Sequence, residues 1–311
     1  MKIYIHTLLN EVHHKKLSEG LKDYNLFFRT QGSPETESKN HFQEADYILG
    51  NPPVDWFNHN SPQQLKFLQL DSAGFDQYKT LNQTYKASNM GDWFARPCAE
   101  TTVGGILALY RGIDKLTTLK NKHAWIGSPL RENLKVLFGQ KAIILGTGTI
   151  GQSVRDILTG FRCEIISFAR SSPLAEIHEK EELLTHLPST DVLINTLPGS
   201  AAGFVDETIL RSLKPGAVYA NIGRGNTTHE PTLISLLKSG HLSGAALDVT
   251  LHEPIPEDHP LWSLPNVVLT QHTGGGQGDE NIGKIDLFLK NIRLIEQNEE
   301  PLHQVDFQRG Y

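Results

Sequence analysis

The chain has 311 residues, of which 38% are apolar and 21% are charged, with a formal net charge of −6 at pH 7. This length is typical of one large or two ordinary globular domains with substantial cores. The negative charge offers no electrostatic footprint for nucleic acid or an anionic membrane, so neither partner is expected.

No apolar run reaches the length of a membrane span, and the N-terminal apolar stretch is too short for a secretory signal. The two cysteines, Cys98 and Cys163, form neither a disulfide framework nor a metal-binding spacing, which suits a reducing compartment. The fourteen histidines show no H-E-x-x-H pattern. We therefore expect a cytoplasmic protein without a bound metal.

Residues 1–90 alternate short apolar runs with helical stretches, a pattern that predicts a parallel α/β sheet. The predicted elements are a helix at Lys15–Leu21 and strands at Ile3–Ile5, Leu26–Phe28, Tyr47–Leu49 and Phe67–Leu70. The last strand runs into the turn Ser72–Gly74. Because ligands of such sheets bind beyond the carboxyl ends of strands, this turn is either an anion-binding loop or an ordinary glycine turn.

Apolar residues recur at helical spacing from Ala99 to Leu119, which predicts one long helix leading into the next domain. The following segment, Asn121–Leu134, is polar and contains Gly127 and Pro129. It is either an arm that contacts a second subunit or a surface loop.

A glycine-rich turn, GTGTIG at residues 146–151, follows the apolar run Ala142–Leu145 and precedes a helical segment, Ile150–Leu158. This is the strand–turn–helix setting in which a G-x-G-x-x-G motif indicates a dinucleotide.

Each glycine of the motif has a separate physical purpose. Gly146 allows the tight turn, Gly148 lets a pyrophosphate approach the backbone, and Gly151 lets the helix pack against the strand. The first helical residues, Thr149 and Ile150, offer amide donors and the positive end of the helix dipole to the phosphates.

Further strand–helix units continue to residue 270 and predict a doubly wound sheet. The predicted strands are Arg162–Phe168, Asp191–Asn195, Ala217–Ala220, Ala245–Val249 and Val267–Thr270, and the predicted helices are Glu207–Leu213 and Pro231–Ser239. An amphipathic helix is expected at Asn281–Gln297, after the glycines at 274–276, where the chain returns to the first domain. The predicted domains are residues 1–93 with 282–311 for the substrate, and residues 94–281 for the dinucleotide.

The residues beyond the second strand of this sheet discriminate between the nicotinamide cofactors. An acidic residue there would bind the adenosine ribose of NAD(H), but the sequence at 167–172 is SFARSS. A guanidinium pairs well with a 2′-phosphate and a hydroxyl adds a further donor, so Arg170 and Ser171 predict NADP(H) over NAD(H), with NAD(H) still possible. The alternative is that Arg170 is a solvated loop residue.

Three further strand ends carry residues suited to catalysis. Arg224 follows one strand in NIGRG, Glu253 follows the next in DVTLHEP, and His272 follows the last in TQHTG. Side chains from successive strand ends are able to converge over a nicotinamide. Taken singly, each also fits a surface arginine, an exposed acid or a polar turn histidine.

In this order, these segments resemble the D-2-hydroxyacid dehydrogenase family over nearly all of the chain, most strongly from Cys98 to Gly276. The resemblance rests on DSAGFD at 71–76, Ala99-Glu100, GTGTIG at 146–151, NTLPGSAAGFVDETILRSLKPGAVYANIGRG at 195–225, GAALDVTLHEPIP at 244–256 and LWSLPNVVLTQHTGG at 261–275. It implies an α/β fold with two domains, a Rossmann-type doubly wound parallel sheet and a smaller flavodoxin-like substrate domain. Residues 169–171, ARS, are similar to the NADP-using glyoxylate/hydroxypyruvate reductases of the family.

The resemblance implies catalytic roles for three residues. Arg224 would bind the substrate carboxylate and polarise the 2-oxo group. His272 would protonate the developing alkoxide in reduction and accept that proton in oxidation. Glu253 would hydrogen-bond His272, orient it and favour its charged form.

The resemblance also implies binding residues. Asp248 would hold the nicotinamide carboxamide, and the backbone amides of Ala73 and Gly74 would bind the substrate carboxylate. Three further residues would contact the cofactor: Leu197, Pro198 and Gly274. Two positions depart from the family pattern: Gln271 stands where a proline is usual and Thr250 where an aromatic residue is common. These departures bear on the substrate pocket or loop rigidity and remove no catalytic group.

The expected reaction is the NADPH-dependent reduction of a small 2-oxo acid, such as glyoxylate or hydroxypyruvate, to the D-2-hydroxy acid. Alternatives are a dehydrogenase for a larger 2-hydroxy acid and a cofactor-sensing binding protein similar to the corepressors of the family. A homodimer through the cofactor domains is also expected, with Trp125 of the arm reaching a neighbouring subunit.

Overall fold

The computed structural model describes residues 1–278 and 280–308. The chain divides into two compact units, one made of residues 1–94 with the segment from 277 onward, the other of residues 95–276. The predicted boundary at 281–282 lies five residues beyond the boundary at 276–277 in the structure. The assignment of one unit to the substrate and the other to the dinucleotide stays a prediction.

Strands and helices alternate along the chain. In order they are β1 (Lys2–Ile5), α1 (Glu11–Gly20), β2 (Asn25–Phe28), α2 (Glu35–Gln43), β3 (Tyr47–Leu49), α3 (Val54–Asn60), β4 (Phe67–Gln69), β5 (Lys86–Ser88), α4 (Ala95–Arg111), α5 (Ile113–Asn121), β6 (Lys141–Leu145), α6 (Thr149–Gly160), β7 (Glu164–Phe168), α7 (Lys180–His186), β8 (Val192–Asn195), α8 (Glu207–Ser212), β9 (Val218–Asn221), α9 (Glu230–Lys238), β10 (Gly244–Leu247), β11 (Val267–Leu269) and α10 (Glu280–Glu296).

The first unit is a five-stranded parallel sheet in the order β2-β1-β3-β4-β5. This is the flavodoxin-like order, in which the chain changes direction between β1 and β3. The predicted strands in this region are confirmed, whereas β5, α2 and α3 were not predicted. Helix α2 buries only Ser38 and Phe42, too few residues for a visible helical period.

Both faces of this sheet are covered. One face packs aromatic side chains, among them Phe42, Trp56 and Phe57. The other packs against α10, whose apolar stripe of Ile285, Phe288, Leu289 and Ile292 is buried as the sequence predicts. Each such buried side chain contributes roughly 1.5–3 kcal/mol of transfer free energy.

The second unit is a six-stranded parallel sheet in the order β11-β10-β9-β8-β6-β7, so the doubly wound α/β class is confirmed. The chain changes direction between β6 and β8. The last residues of the six strands are in register, in the order Leu269, Leu247, Asn221, Asn195, Leu145 and Phe168. Every loop that leaves a strand at its carboxyl end therefore starts from the same edge of the sheet.

The prediction of one helix from Ala99 to Leu119 is wrong. Helix α4 ends at Arg111, and Gly112 adopts a left-handed conformation with φ of +62° before α5 begins. A left-handed glycine of this kind terminates a helix because it turns the backbone away from the helical path. Helix α5 has no buried residue, although Ile113 and Leu116 continue the apolar spacing.

The segment between α5 and β6 contains a short 3₁₀ turn, Ser128–Asn133. The side chain of Trp125, just before it, is 96% exposed. Among the helices formed by residues 1–278 and 280–308, none combines the length and apolarity needed to cross a bilayer.

Candidate active site

The glycine-rich turn after β6 has the geometry that a dinucleotide requires. Gly146 has a φ of +104°, which glycine adopts without strain. A Cβ on Gly151 would lie 2.2 Å from the carbonyl oxygen of Gly146, so only glycine allows the helix this close to the turn. A Cβ on Gly148 would have no neighbour within 4 Å, so the space beside Gly148 is open.

The start of α6 leaves backbone donors at this open space. Gly148 is the N-cap and makes no side-chain cap, and Gln152 donates to the Gly148 carbonyl at 2.9 Å. The amides of Thr149, Ile150 and Gly151 precede this hydrogen bond and have no acceptor earlier in the helix. These donors fit a pyrophosphate at a helix N-terminus.

Arg170 and Ser171 lie just beyond β7, the edge strand next to β6, and both are exposed. Their loop is closed at its base, because the Ala169 amide donates to Ile177 and the Glu176 amide donates to Ser167. Arg155 of α6 forms a two-pronged ion pair with Glu176 beside this base, at 3.1 and 2.6 Å. Hydrogen bonds from Arg155 lower the pKa of Glu176.

Leu197 and Pro198 follow β8, on the other side of β6. Leu197 is buried and its amide donates to the side chain of Asn195 at 3.0 Å, whereas Pro198 is exposed. A Cβ on Gly223 would lie 2.4 Å from the Leu197 carbonyl oxygen, so the loops after β8 and β9 touch through their backbones.

Arg224 stands between two glycines that pack against neighbouring loops. A Cβ on Gly225 would lie 1.8 Å from the carbonyl oxygen of Thr250, in the loop after β10. The Arg224 carbonyl accepts hydrogen bonds from Asn221 at 3.2 Å and Thr227 at 2.6 Å. The backbone of Arg224 is thus fixed between the loops that follow β8 and β10, the strands on either side of β9. Its guanidinium donates to the Gly223 carbonyl at 2.8 Å, and the residue is partly exposed.

Asp248, the residue after β10, organises the turn that carries His272. Its Oδ1 accepts hydrogen bonds from the Thr270 hydroxyl at 2.5 Å, the Thr273 amide at 3.1 Å and the Gly274 amide at 3.0 Å. The Asp248 carbonyl also accepts from the His272 amide at 2.6 Å. These hydrogen bonds to the side chain all involve Oδ1, and Asp248 is 7% exposed.

Glu253 and His272 form a hydrogen-bonded pair. His272 Nδ1 donates to Glu253 Oε2 at 2.6 Å, and Glu253 Oε1 accepts from the Thr250 amide at 2.9 Å. The side chains are 53% exposed for His272 and 35% exposed for Glu253. Because Nδ1 is engaged, Nε2 is the ring nitrogen that is left for a substrate.

Gln271 and His272 both have left-handed backbones, with φ of +54° and +57°. A proline ring holds φ near −65°, so the structure is incompatible with proline at position 271. Gln271 thus stands in a conformation that the usual proline of the family pattern does not adopt. At the other departure, Thr250 borders a cavity of about 440 Å³ beside Glu253 and His272, also lined by Leu247, Ile255 and Trp262.

Cys98 of α4 is the buried cysteine of this unit. Burial, together with the Asp248 charge, raises the pKa of the Cys98 thiol to about 12. It is therefore a protonated thiol at neutral pH, which is not a nucleophile.

In the first unit, the Ser72–Gly74 loop is held by its carbonyl groups. The Ser72, Ala73 and Gly74 carbonyls accept from the Met90 amide at 3.0 Å, the Asn89 side chain at 2.6 Å and the Ser72 hydroxyl at 2.7 Å, respectively. In the described ranges, the amides of Ala73 and Gly74 donate no hydrogen bond. Both residues are partly exposed.

Several residues that shape these loops were not predicted. Asn51 and Asn89 brace the Ser72–Gly74 loop, Gly223 and Gly225 fix Arg224, and Glu230 contacts the loop of Glu253. The G-R-G sequence was visible around Arg224, but no local pattern marks the two asparagines or Glu230.

Comparison with known proteins agrees with this geometry. Residues 103–274 match the family model for the NAD-binding domain of D-isomer specific 2-hydroxyacid dehydrogenases. The chain is 33% identical over 282 residues to an uncharacterized protein in the proB 3′ region of Corynebacterium melassecola, covering 86% of this chain and 91% of that protein. It is 36% identical over 218 residues to glyoxylate/hydroxypyruvate reductase A of Salmonella typhimurium, covering 68% of each.

A solved structure has the same fold. It is a probable 2-hydroxyacid dehydrogenase from Rhizobium etli in complex with NADP, HEPES and L(+)-tartaric acid, which matches with a TM-score of 0.79 at 22% identity over 100% of this chain and 99% of that one. The family inferred from the motifs is confirmed. The chain belongs to the D-isomer specific 2-hydroxyacid dehydrogenase family and is an NAD(P)-dependent oxidoreductase.

Proposed function

We propose that the chain reduces a small 2-oxo acid, such as glyoxylate or hydroxypyruvate, to the D-2-hydroxy acid with NADPH. The observation that carries the proposal is the hydrogen-bonded Glu253–His272 pair, next to a loop that fixes Arg224 between glycines. The similarity to the Salmonella glyoxylate/hydroxypyruvate reductase A supports the substrate class.

In this proposal each of the three residues acts at a defined atom. Glu253 Oε2 accepts from Nδ1 of His272, which leaves Nε2 to donate a proton to the substrate oxygen as it becomes an alkoxide. The Arg224 guanidinium pairs with the substrate carboxylate and draws electron density from the 2-oxo group. A reduced nicotinamide held at the strand ends would supply the hydride for C2.

The row of strand ends provides a place for an extended dinucleotide. Neighbouring strands lie about 4.8 Å apart, so the five steps from β7 to β11 span about 24 Å. The amides of Thr149–Gly151, which follow β6, would hold the pyrophosphate one strand in from the β7 end of this row. Asp248 Oδ2 would take the carboxamide at the nicotinamide end, with Leu197, Pro198 and Gly274 as further contacts.

At the opposite end, Arg170 and Ser171 would bind the 2′-phosphate of NADPH. The exposed guanidinium and hydroxyl, on a loop closed by backbone hydrogen bonds, support this assignment. The Rhizobium etli neighbour was solved with NADP.

The amides of Ala73 and Gly74 would bind the substrate carboxylate. Their support is the set of carbonyl hydrogen bonds that holds the Ser72–Gly74 loop with its amides available.

We also propose a cytoplasmic homodimer, formed in part by the segment from α5 to β6. Its support is apolar exposure: α5 buries no residue, and Trp125, Ile126, Val136 and Phe138 are exposed. Monomeric proteins rarely expose apolar side chains in such number on one short segment.

The deciding experiment follows oxidation of NADPH and NADH by absorbance with glyoxylate, hydroxypyruvate, pyruvate and a bulky 2-oxo acid. The expected result is turnover with NADPH and a small acid, abolished in His272→Asn because the proton donor is removed. Turnover with only the bulky acid would contradict the substrate class. Turnover with only NADH would contradict the cofactor preference. Tight NADPH binding without turnover of any acid would contradict the reductase and favour a cofactor-sensing binding protein.

A further inference from the structure

Glu230, the first residue of α9, is a buried acid that contacts the Glu253 loop. Only 8% of Glu230 is exposed. Its Oε2 accepts from the Leu251 amide at 3.1 Å, and its Oε1 lies 3.2 Å from Nε2 of His259. A carboxylate buried to this degree needs such partners, because burial without them is strongly unfavourable.

The Leu251 amide is adjacent to the Thr250 amide, which holds Glu253. Thr250 donates its amide to Glu253 Oε1 at 2.9 Å, and Leu251 donates the next amide to Glu230. Two consecutive backbone amides are therefore held by two carboxylates. Glu253 then contacts His272 at 2.6 Å, so a continuous series of polar contacts leads from α9 to the histidine.

The two ends of this series differ in regular structure and burial. Helix α9 is anchored by buried Leu233, Leu236 and Leu237. The loop from 250 to 259 contains no strand or helix, and much of it is exposed. A contact from the anchored helix to this irregular segment fixes the position of the loop, as buried supporting groups do in preorganised sites.

We propose that Glu230, with His259 as its partner, is a positioning residue for the Glu253–His272 pair. The inference rests on the proposed catalytic roles of Glu253 and His272. Removal of the Glu230 carboxylate releases the Leu251 amide and shifts the Thr250–Glu253 backbone, so His272 no longer points Nε2 in one direction. Misplacement of a proton donor by a fraction of an ångström lowers the rate of the chemical step more than substrate binding.

The test compares Glu230→Ala with Glu230→Gln and with Glu257→Ala, an exposed acid on the same loop. In Glu230→Ala we expect kcat to fall about tenfold or more while KM for the 2-oxo acid and NADPH stays within about twofold. Glu230→Gln should recover part of kcat, because its amide oxygen still accepts from the Leu251 amide. The His259 contact is lost in this variant, since His259 Nδ1 accepts from the Leu261 amide at 3.4 Å and leaves Nε2 as a donor. Glu257→Ala should match the wild type.

A second measurement does not depend on turnover. Nitrogen-15 NMR of labelled histidine in the whole chain reports the Nδ1 proton of His272, which a hydrogen bond to a carboxylate protects and shifts downfield. We expect this signal in the wild type and in Glu230→Gln, and its loss or broadening in folded Glu230→Ala. If the wild type turns over no 2-oxo acid, the proposed function fails, and the NMR comparison still decides the positioning role.

The outcomes separate cleanly. An unchanged kcat and an unchanged His272 signal in folded Glu230→Ala would overturn the proposal. Equal loss of kcat and of NADPH binding, without rescue by glutamine, would show that Glu230 only stabilises the fold. If Glu230→Ala does not fold, His259→Ala replaces it, because it removes one of the two Glu230 partners. A His259→Ala enzyme with wild-type kcat and signal would then overturn the proposal.

Discussion

The backbone of the His272 turn is strained at two residues, because Gln271 and His272 both have left-handed backbone conformations and neither is glycine. Such a conformation costs about 1–2 kcal/mol for a residue with a Cβ. The hydrogen bonds to Asp248 hold the turn in this conformation. Local strain maintained by surrounding contacts is typical of functional sites.

Two substitutions of Gln271 should therefore differ in their effect on the free energy of unfolding. Glycine accepts a φ of +54°, so Gln271→Gly should change the free energy of unfolding by less than about 1 kcal/mol. Gln271→Pro, which restores the usual family residue, should lower it by about 3 kcal/mol or more. Urea denaturation measures both. Equal stability of the two variants would contradict the left-handed turn.

The NADPH preference is a property of one exposed side chain in our proposal. Arg170→Asp replaces a partner of the 2′-phosphate by a repelling charge, so KM for NADPH should rise at least about tenfold. The preference for NADPH over NADH, as the ratio of kcat/KM values, should fall accordingly. Lys238→Asp, at an exposed position on α9, is the control for the charge change. An unchanged NADPH/NADH ratio in Arg170→Asp would exclude Arg170 from cofactor recognition.

At the scale of elements, the buried strands were predictable and the helix break was not. Val192–Asn195 is fully buried, so its apolar run is visible in the sequence. Ile113 and Leu116 also continue an apolar period, but they face solvent after the break at Gly112. A helical spacing of apolar residues shows that one helix face is apolar. It does not show whether another element packs on that face.

The apolar segment after α5 leads to a prediction about assembly. Deletion of the arm Asn121–Leu134, or the milder pair Trp125→Ser and Ile126→Ser, should convert the proposed homodimer to monomers because it removes exposed apolar surface. Sedimentation velocity at micromolar concentration measures the change. Leu174→Ser, at an exposed leucine outside the arm, should leave the mass unchanged. A dimer that persists without the arm would eliminate the arm as its interface.

The loop that carries Ala73 and Gly74 depends on a side chain from the segment after β5. Asn89 donates to the Ala73 carbonyl at 2.6 Å and accepts from the Gly91 amide at 2.9 Å. In Asn89→Ala the loop loses a hydrogen bond, and KM for the 2-oxo acid should rise about tenfold with NADPH affinity unchanged. Exposed Asn82→Ala is the matched control. An unaltered KM in Asn89→Ala would contradict carboxylate binding by this loop.

For the whole molecule, the fold class and family followed from the sequence because the glycine turn and strand-end motifs occur in one order. The supporting contacts did not. Asn89 and Ala73 are 16 residues apart, and Glu230 and Leu251 are 21 residues apart, so the folded sheet is needed to bring them together. Local sequence spacing shows which residues lie at the end of the same strand. The side chains that support those residues come from distant parts of the sequence, so only the folded structure identifies them.

One buried histidine makes the stability of the whole chain depend on pH. His6 is 8% exposed, between the Tyr4 hydroxyl and the Arg29 guanidinium. Burial, reinforced by the Arg29 charge, lowers its pKa from 6.5 to about 4. Between these values the unfolded chain binds a proton that the folded chain does not, so stability falls as the pH falls from 6.5 to 4.

His6→Gln removes this dependence. From pH 7 to pH 4 the free energy of unfolding of the wild type should fall by about 3 kcal/mol relative to that of His6→Gln. Urea denaturation at both pH values measures the change. His59→Gln, at an exposed histidine of the same unit, should track the wild type. A constant difference between wild type and His6→Gln across this range would show that His6 titrates alike in both states.

The open space at Gly148 and the tight contacts at Gly151 and Gly225 have a consequence for how this protein tolerates mutation. In a saturation library, substitutions at 151 and 225 should lower the cellular abundance of the folded protein, because any side chain there collides with backbone atoms. Substitutions at 148 should keep normal cellular abundance and lose catalytic output. Glycines that look equivalent in the sequence would thus separate into folding positions and ligand positions when abundance and activity are scored in parallel.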